Sequence, residues 1–251
     1  MSAAQPVRIA MWSGPRNIST AMLRSFGNRA DCWVTDEPLY ACYLHTSGSP
    51  HPMRDEVIAS QSTDWREVVE WLTGSVPHGK AVWYQKHMTH HLLQGMGRDW
   101  LDRVTNCFLL RDPRAVLASY AKKREEQVRI EDVGMLQQAA IFDEVVARGD
   151  GRIPPVLDAA DVLQDPRGAL QSLCAAVGIP FDEAMLSWPP GRRETDGVWA
   201  EHWYHAVEQS TGFEPYRPPP ETLAPELEDI AERCRPAYER LRAHSLVSSA
   251  S

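Results

Sequence analysis

The sequence predicts an α/β fold of three layers, with a central parallel sheet of about five strands flanked by helices. Two observations carry that expectation. Short apolar runs at 7–12, 32–35, 81–85, 104–110 and 154–158 alternate with segments of helical length, as βα units feeding a parallel sheet do. Two of the runs, 7–12 and 104–110, break into Pro-containing turns that open directly into helical patterns. With 251 residues, 43% of them hydrophobic, the chain is long enough to bury a full core. No repeat, low-complexity tract or linker divides it, so a single domain over 1–251 is expected.

The first unit is the most informative. Val7, Ile9 and Met11 alternate with Arg8 and Ala10 as a strand does, and Ile18, Ala21, Met22 and Phe26 recur at helical spacing. Between them lie Ser13, Gly14, Pro15, Arg16 and Asn17, then Ser19 and Thr20. Gly14 allows close backbone approach to a ligand, the free N–H groups of the helix point back at the turn, and the two hydroxyls and Arg16 add donors and a cation. That is a phosphate cradle; an ordinary βα turn is the alternative. The second run ends in Asp36-Glu37-Pro38. Residues 44–63 are polar, with Gly and Pro, and part of them is expected to form a mobile loop over the site. Asp64 opens a helix over 64–73, and the third run leads into Tyr84-Gln85-Lys86-His87.

Residues 104–120 repeat the first design, with Arg111 at the strand end, Pro113 at a first helical position and Ser119 two turns in. Helices follow over 114–127 and 131–148, the second stopped by Gly149-Asp150-Gly151. After the last strand, Asp165-Pro166 opens a helix that Gly178 closes. Residues 187–220 form a long irregular stretch rich in aromatics and proline, and a helix over 221–244 ends the fold. Long loops in compact domains are often functional, and this one is read as an active-site loop.

Composition narrows the function. A net charge of −8 argues against nucleic acid as a partner, and no apolar stretch has transmembrane length, so no membrane partner is expected. The N-terminus lacks the basic and apolar regions of a secretory signal. Cys32, Cys42, Cys107, Cys174 and Cys234 are odd in number and form no CxxC pair, which suggests reduced thiols and a cytoplasmic protein. His90 and His91 have no carboxylate or Cys at ligand spacing, so no metal site is expected.

The two turns together resemble the nucleotide-binding signature of the sulfotransferase family, whose donor is 3′-phosphoadenosine-5′-phosphosulfate and whose fold is P-loop-NTPase-like. Pro15, Arg16, Ser19 and Thr20 match the first motif, which holds the 5′-phosphosulfate. Arg111, Pro113, Arg114 and Ser119 match the second, which holds the 3′-phosphate. Asn17-Ile18 stands where the family usually has Ser-Gly. Residues 156–181 resemble the family's later strand–loop–helix unit, closing on Gly-Ile-Pro-Phe. The resemblance implies a late loop that closes on the donor, to which Gly191-Arg192-Arg193 could supply charge, with Trp199, Trp203 or Tyr204 stacking on adenine or an aromatic acceptor.

Sulfuryl transfer to a hydroxyl or amine needs a base at the attacking atom and cations on the developing charge. Glu37 follows Arg16 by 21 residues, one helix and a return strand, and resembles the base of protein-tyrosine and several bacterial carbohydrate sulfotransferases. Cytosolic members carry Lys-x-His at the third strand end; here His87 follows Lys86 directly. Alternation should put the two side chains on opposite faces unless the strand bends. Lys86 remains a candidate cation, and the base is Glu37 or His87. A small-molecule acceptor is the default. A small-molecule kinase is the main alternative, although no G-x-x-x-x-G-K-[ST] string occurs and Asp36 or Asp112 would have to organise its metal. A noncatalytic nucleotide-binding protein is the other.

Overall fold

The computed structural model describes residues 5–121 and 128–246. Its chain runs through β1 (Val7–Ser13), α1 (Ser19–Gly27), β2 (Cys32–Asp36), α2 (Tyr40–Ser47), α3 (Arg54–Ser60), α4 (Trp65–Thr73), β3 (Val82–Met88) and β4 (Thr105–Leu110). It continues through α5 (Pro113–Ala121), α6 (Ile130–Val133), α7 (Met135–Arg148), β5 (Val156–Asp158), α8 (Ala159–Gln164) and α9 (Pro166–Val177). Two short helices, α10 (Ala200–Trp203) and α11 (His205–Glu208), precede α12 (Pro225–Arg242).

The five strands form one sheet in the order β2-β3-β1-β4-β5, and every pairing is parallel. Alternation along the strands builds the layers. Ala10, Trp12, Trp83, Phe108 and Leu110 face a core shared with α4, α5, α7 and α12. Ile9, Met11, Val34, Tyr84, Cys107 and Leu109 face the other, against α1 and α9. The connection that leaves β1 leads to β2 on one side of it and the one that leaves β4 leads to β5 on the other, so the strand order reverses between β1 and β4. Ligands collect at the carboxyl edge beside such a switch point, where Ser13 is in register with Met88 of β3 and Leu109 of β4.

The structure refines these expectations in detail. Of residues 44–63, the end of α2 and all of α3 are helical, leaving a loop between them; Val57 and Leu44 are buried with Tyr40, Trp199 and Tyr204, which holds the helical parts down. The helix expected over 131–148 is broken at Gly134, which takes a left-handed φ of 74° between α6 and α7. Of the helix expected over 114–127, the described part is α5, and residues 122–127 lie outside the described residues. The 187–220 stretch is long and mostly irregular, as expected, but carries α10 and α11.

Gly14 has a different reason from the one its motif suggests. A Cβ there would lie 2.5 Å from the Val133 carbonyl oxygen, and one on Gly134 would lie 3.1 Å from the Gly14 Cα. The two glycines let the turn after β1 and the α6–α7 junction meet backbone to backbone. Among the described residues, no helix is long and apolar enough to cross a membrane. All five cysteines are free and buried.

Candidate active site

A cavity of about 1430 Å³ opens at the carboxyl edge of β1, β3 and β4, lined on one side by Pro15 to Ala21, Arg111 and Ser119 and on the other by Glu37, Lys86, His91, Trp199 and Tyr204. The two sides are built on different electrostatic plans.

On the first side, the turn after β1 is pinned by its own polar groups. The Asn17 side-chain amide donates to the Leu109 carbonyl at 2.8 Å, and its Oδ1 accepts the Ile18 N–H at 2.8 Å. Arg111, at the end of β4, donates to the Arg16 carbonyl at 2.5 Å, and Arg16 Nε donates to Ser119 Oγ at 3.0 Å. Arg16 holds a left-handed φ of 56°, an uncommon backbone for a non-glycine residue. Thus β1, β4 and α5 all converge on one loop. Among the described residues neither guanidinium has an ion-pair partner. Burial lowers the pKa of both, and the charge of Arg16 lowers that of Arg111 further. Two half-buried cations side by side repel one another. Ser19 and Thr20, at the uncapped N-terminus of α1, border the same space.

On the second side the charges are already paired. Lys86 Nζ lies 2.8 Å from Asp36 Oδ1, 2.5 Å from Glu37 Oε1 and 2.9 Å from the Tyr204 hydroxyl. The Tyr204 hydroxyl donates to Asp36 Oδ2 at 2.6 Å. Burial opposes the Lys86 charge, yet Asp36, Glu37 and Tyr204 outweigh it and hold its pKa well above the ordinary value. Burial raises the pKa of Glu37, against the pull of Lys86. Glu37 follows β2 with a φ of 42°, and its N–H continues the ladder to the Lys86 carbonyl at 3.0 Å. His91 stacks between Tyr40 and Tyr43 with its Nδ1 3.9 Å from Glu37 Oε2. Burial, and then His90, keep its pKa well below the ordinary value.

With this geometry in view, the comparisons decide the family. A sulfotransferase domain family matches residues 7–245. The chain belongs to the sulfotransferase family. Two curated relatives from Arabidopsis thaliana are similar over most of its length: branched-chain-amino-acid aminotransferase-like protein 1, 35% identical over 98% of this chain, and protein 2, 33% identical over 96%. The chain spans 43% of the length of each. Among solved structures it is similar in fold to a sulfotransferase domain from the curacin biosynthetic pathway, with a TM-score of 0.52, 15% identity, and 93% and 99% of the two chains covered. A sulfotransferase from Alicyclobacillus acidocaldarius has a TM-score of 0.53 and 11% identity, with 96% of each chain covered.

In this sulfotransferase domain, Pro15, Arg16, Asn17, Ser19, Thr20, Arg111, Ser119, Glu37 and Lys86 all border the one cavity. Ser13 and Gly14 do not: Ser13 is buried beneath the turn with its hydroxyl toward the Met88 sulfur at 4.0 Å, and Gly14 faces Val133. Arg114 points away, pairing with Glu228 and donating to the Glu221 carbonyl at 2.6 Å, so it ties α5 to α12.

His87 is also outside the site. Its ring stacks on Trp12 at 4.5 Å within the opposite core, and burial pushes its pKa down to about 3. β3 stays regular through Met88, so alternation turns His87 away from the face that carries Lys86. Arg192 and Arg193 correct the reading of the late loop. Neither lines the cavity; Arg192 is exposed, and Arg193 lines a smaller hollow beside Arg24, Asn28 and Lys80. The cause is a buried bidentate pair of Arg24 with Asp196, one arm 2.8 Å long, which anchors this stretch to the flank of α1. Beyond that anchor the chain swings over the cavity and delivers Trp199, Trp203 and Tyr204. Sequence reading missed the role of Tyr204, whose partner Asp36 lies 168 residues earlier, and the place of His91 beside Glu37.

Proposed function

We propose that this domain transfers a sulfuryl group from 3′-phosphoadenosine-5′-phosphosulfate to a hydroxyl or amine of a small-molecule acceptor. The observation that carries this reading is the pair of guanidiniums at the cavity, Arg16, which donates to Ser119, and Arg111, which donates to the Arg16 carbonyl, neither with an ion-pair partner among the described residues. Charge-assisted hydrogen bonds to phosphate oxygens would relieve both their repulsion and their desolvation. Arg111 and Ser119 fit the 3′-phosphate of the donor; Arg16, Ser19 and Thr20 fit its 5′ end. The donor supplies an activated sulfuryl group. Glu37 takes the proton of the acceptor, with a carboxyl that burial has made a better base than a free one. Lys86 offers its charge to the oxygens around sulfur.

Phosphoryl transfer has less support. Asp36 spends both oxygens on Lys86 and Tyr204, and Asp112 Oδ1 accepts N–H groups of Arg114 and Ala115 at the start of α5. The test is a mass-spectrometric product assay with a panel of phenols, alcohols and amines, offering the sulfuryl donor or ATP with Mg²⁺. Sulfated product formed in EDTA, and lost in Lys86→Met, is expected. Phosphorylated product from ATP with no sulfated product would overturn the proposal.

A further inference from the structure

An ammonium has three N–H donors and no more. All three of Lys86 face acceptors: Asp36 Oδ1, Glu37 Oε1 and the Tyr204 hydroxyl. In this state Lys86 is saturated and has nothing to give a substrate. Two of its three partners are tied into the protein. Asp36 is nearly fully buried, and its other oxygen takes the Tyr204 proton at 2.6 Å. Tyr204 is buried too, within reach of the Trp199 indole N–H at 3.4 Å. Its chain segment is fixed from outside by the Arg24–Asp196 pair and from within by Trp199, whose ring fills the space a Cβ on Gly197 would need. Glu37 alone of the three partners borders the cavity with an oxygen that no hydrogen bond engages among the described residues, Oε2, 3.9 Å from His91 Nδ1.

From this asymmetry we infer that Tyr204 is a positioning residue: with Asp36 it fixes two of the three Lys86 N–H groups, so that the third passes from Glu37 to the substrate when Glu37 is protonated. The inference rests on the proposed sulfuryl transfer. As the acceptor atom bonds to sulfur, its proton moves to Glu37. The bond between sulfur and the bridging phosphate oxygen breaks, and its electron pair stays on that oxygen. Protonated Glu37 has lost the charge that held Lys86, and the freed N–H turns to the new negative charge on the leaving oxygen. One proton transfer thereby delivers both base and cation at the same moment. Without Tyr204, Asp36 has an unpaired buried oxygen, which draws Lys86 toward itself and away from Glu37.

The groups around Glu37 that bear on its titration are Asp36 at the end of β2, Lys86 on β3, Tyr204 after α10 and His91 beyond β3, with His51 and His90 behind His91 and Tyr84 two residues before Lys86 on β3. The test is an NMR titration of the Glu37 side-chain carboxyl in the full chain, assigned through Glu37→Gln; it needs neither donor nor acceptor. In Tyr204→Phe the Glu37 midpoint should rise by about half a pH unit or more as its cation withdraws. In Asp36→Asn it should fall, because Lys86 is left to Glu37. A variant that merely loosened the fold would move both midpoints down toward the ordinary carboxylate value. An unchanged midpoint in Tyr204→Phe, or a shift of the same sign in both variants, overturns the inference. Where sulfuryl transfer is measured alongside, Tyr204→Phe should lower kcat about tenfold with the KM for donor unchanged. Opposite midpoint shifts with no sulfated product would leave the network intact and fault the proposed reaction.

Discussion

The two walls of the cavity handle buried charge in opposite ways. On the Arg111 side, cations gather with no carboxylate among the described residues to pair with them, and their carbonyl and hydroxyl contacts orient them without neutralising them. On the Lys86 side, a single cation is shared among two carboxylates and a phenol, and every N–H is spent. Unpaired buried charge is costly unless something binds it, whereas paired buried charge is self-sufficient until a proton moves. That contrast supports the proposal that the first wall binds an anion and the second responds to the chemistry.

The largest effect that would break this contrast comes from Glu37, the proposed base. Glu37→Gln keeps the shape and an oxygen for Lys86 but cannot accept a proton, so kcat should fall by about 10²–10⁴-fold with nucleotide binding nearly unchanged. His87→Asn, buried on the other face beside Trp12, should change kcat little. Steady-state kinetics of both variants check the pair, and a collapse in His87→Asn alone would reverse the assignment.

The binding wall should respond through affinity. Arg111→Ala removes a charge-assisted contact, which costs about 1.5–3 kcal/mol, so adenosine 3′,5′-bisphosphate should bind roughly tenfold or more weakly by calorimetry. Arg193→Ala, outside the cavity, should bind it as the unaltered chain does.

These contrasts also mark what the sequence could show. The strands were legible because both faces of the sheet are buried and apolar runs betray them; Val7–Ser13 and Thr105–Leu110 fall within about a residue of expectation. Pro15, Arg16, Arg111 and Ser119 were legible because each follows a strand end at short range. Alternation alone made His87 doubtful beside Lys86. Tyr204 was not legible as a partner of Asp36, since no local pattern links positions 168 residues apart. Arg192 and Arg193 misled for the same reason: the Arg24–Asp196 pair that carries them away joins residues 172 apart. The break at Gly134 had a visible glycine, but the reason for it, contact with Gly14, lies in the tertiary structure.

A smaller effect separates the walls from the cores behind them. His87 is buried, and its pKa is pushed from 6.5 down to about 3; His91 shifts in the same direction. The unfolded chain therefore binds protons that the folded one refuses, and stability present above pH 6.5 should be lost as pH falls toward 3. Urea unfolding across that window should show the decline, and His87→Asn should show a shallower one. An identical slope in the variant would mean that His87 is not held neutral.

The central claim is that the unpaired arginines read a nucleotide's 3′-phosphate, and calorimetry of adenosine 3′,5′-bisphosphate against adenosine 5′-monophosphate tests it most directly. The account predicts a preference of about tenfold or more for the bisphosphate, carried by Arg111 and lost in Arg111→Ala. Equal affinity for the two nucleotides would contradict it.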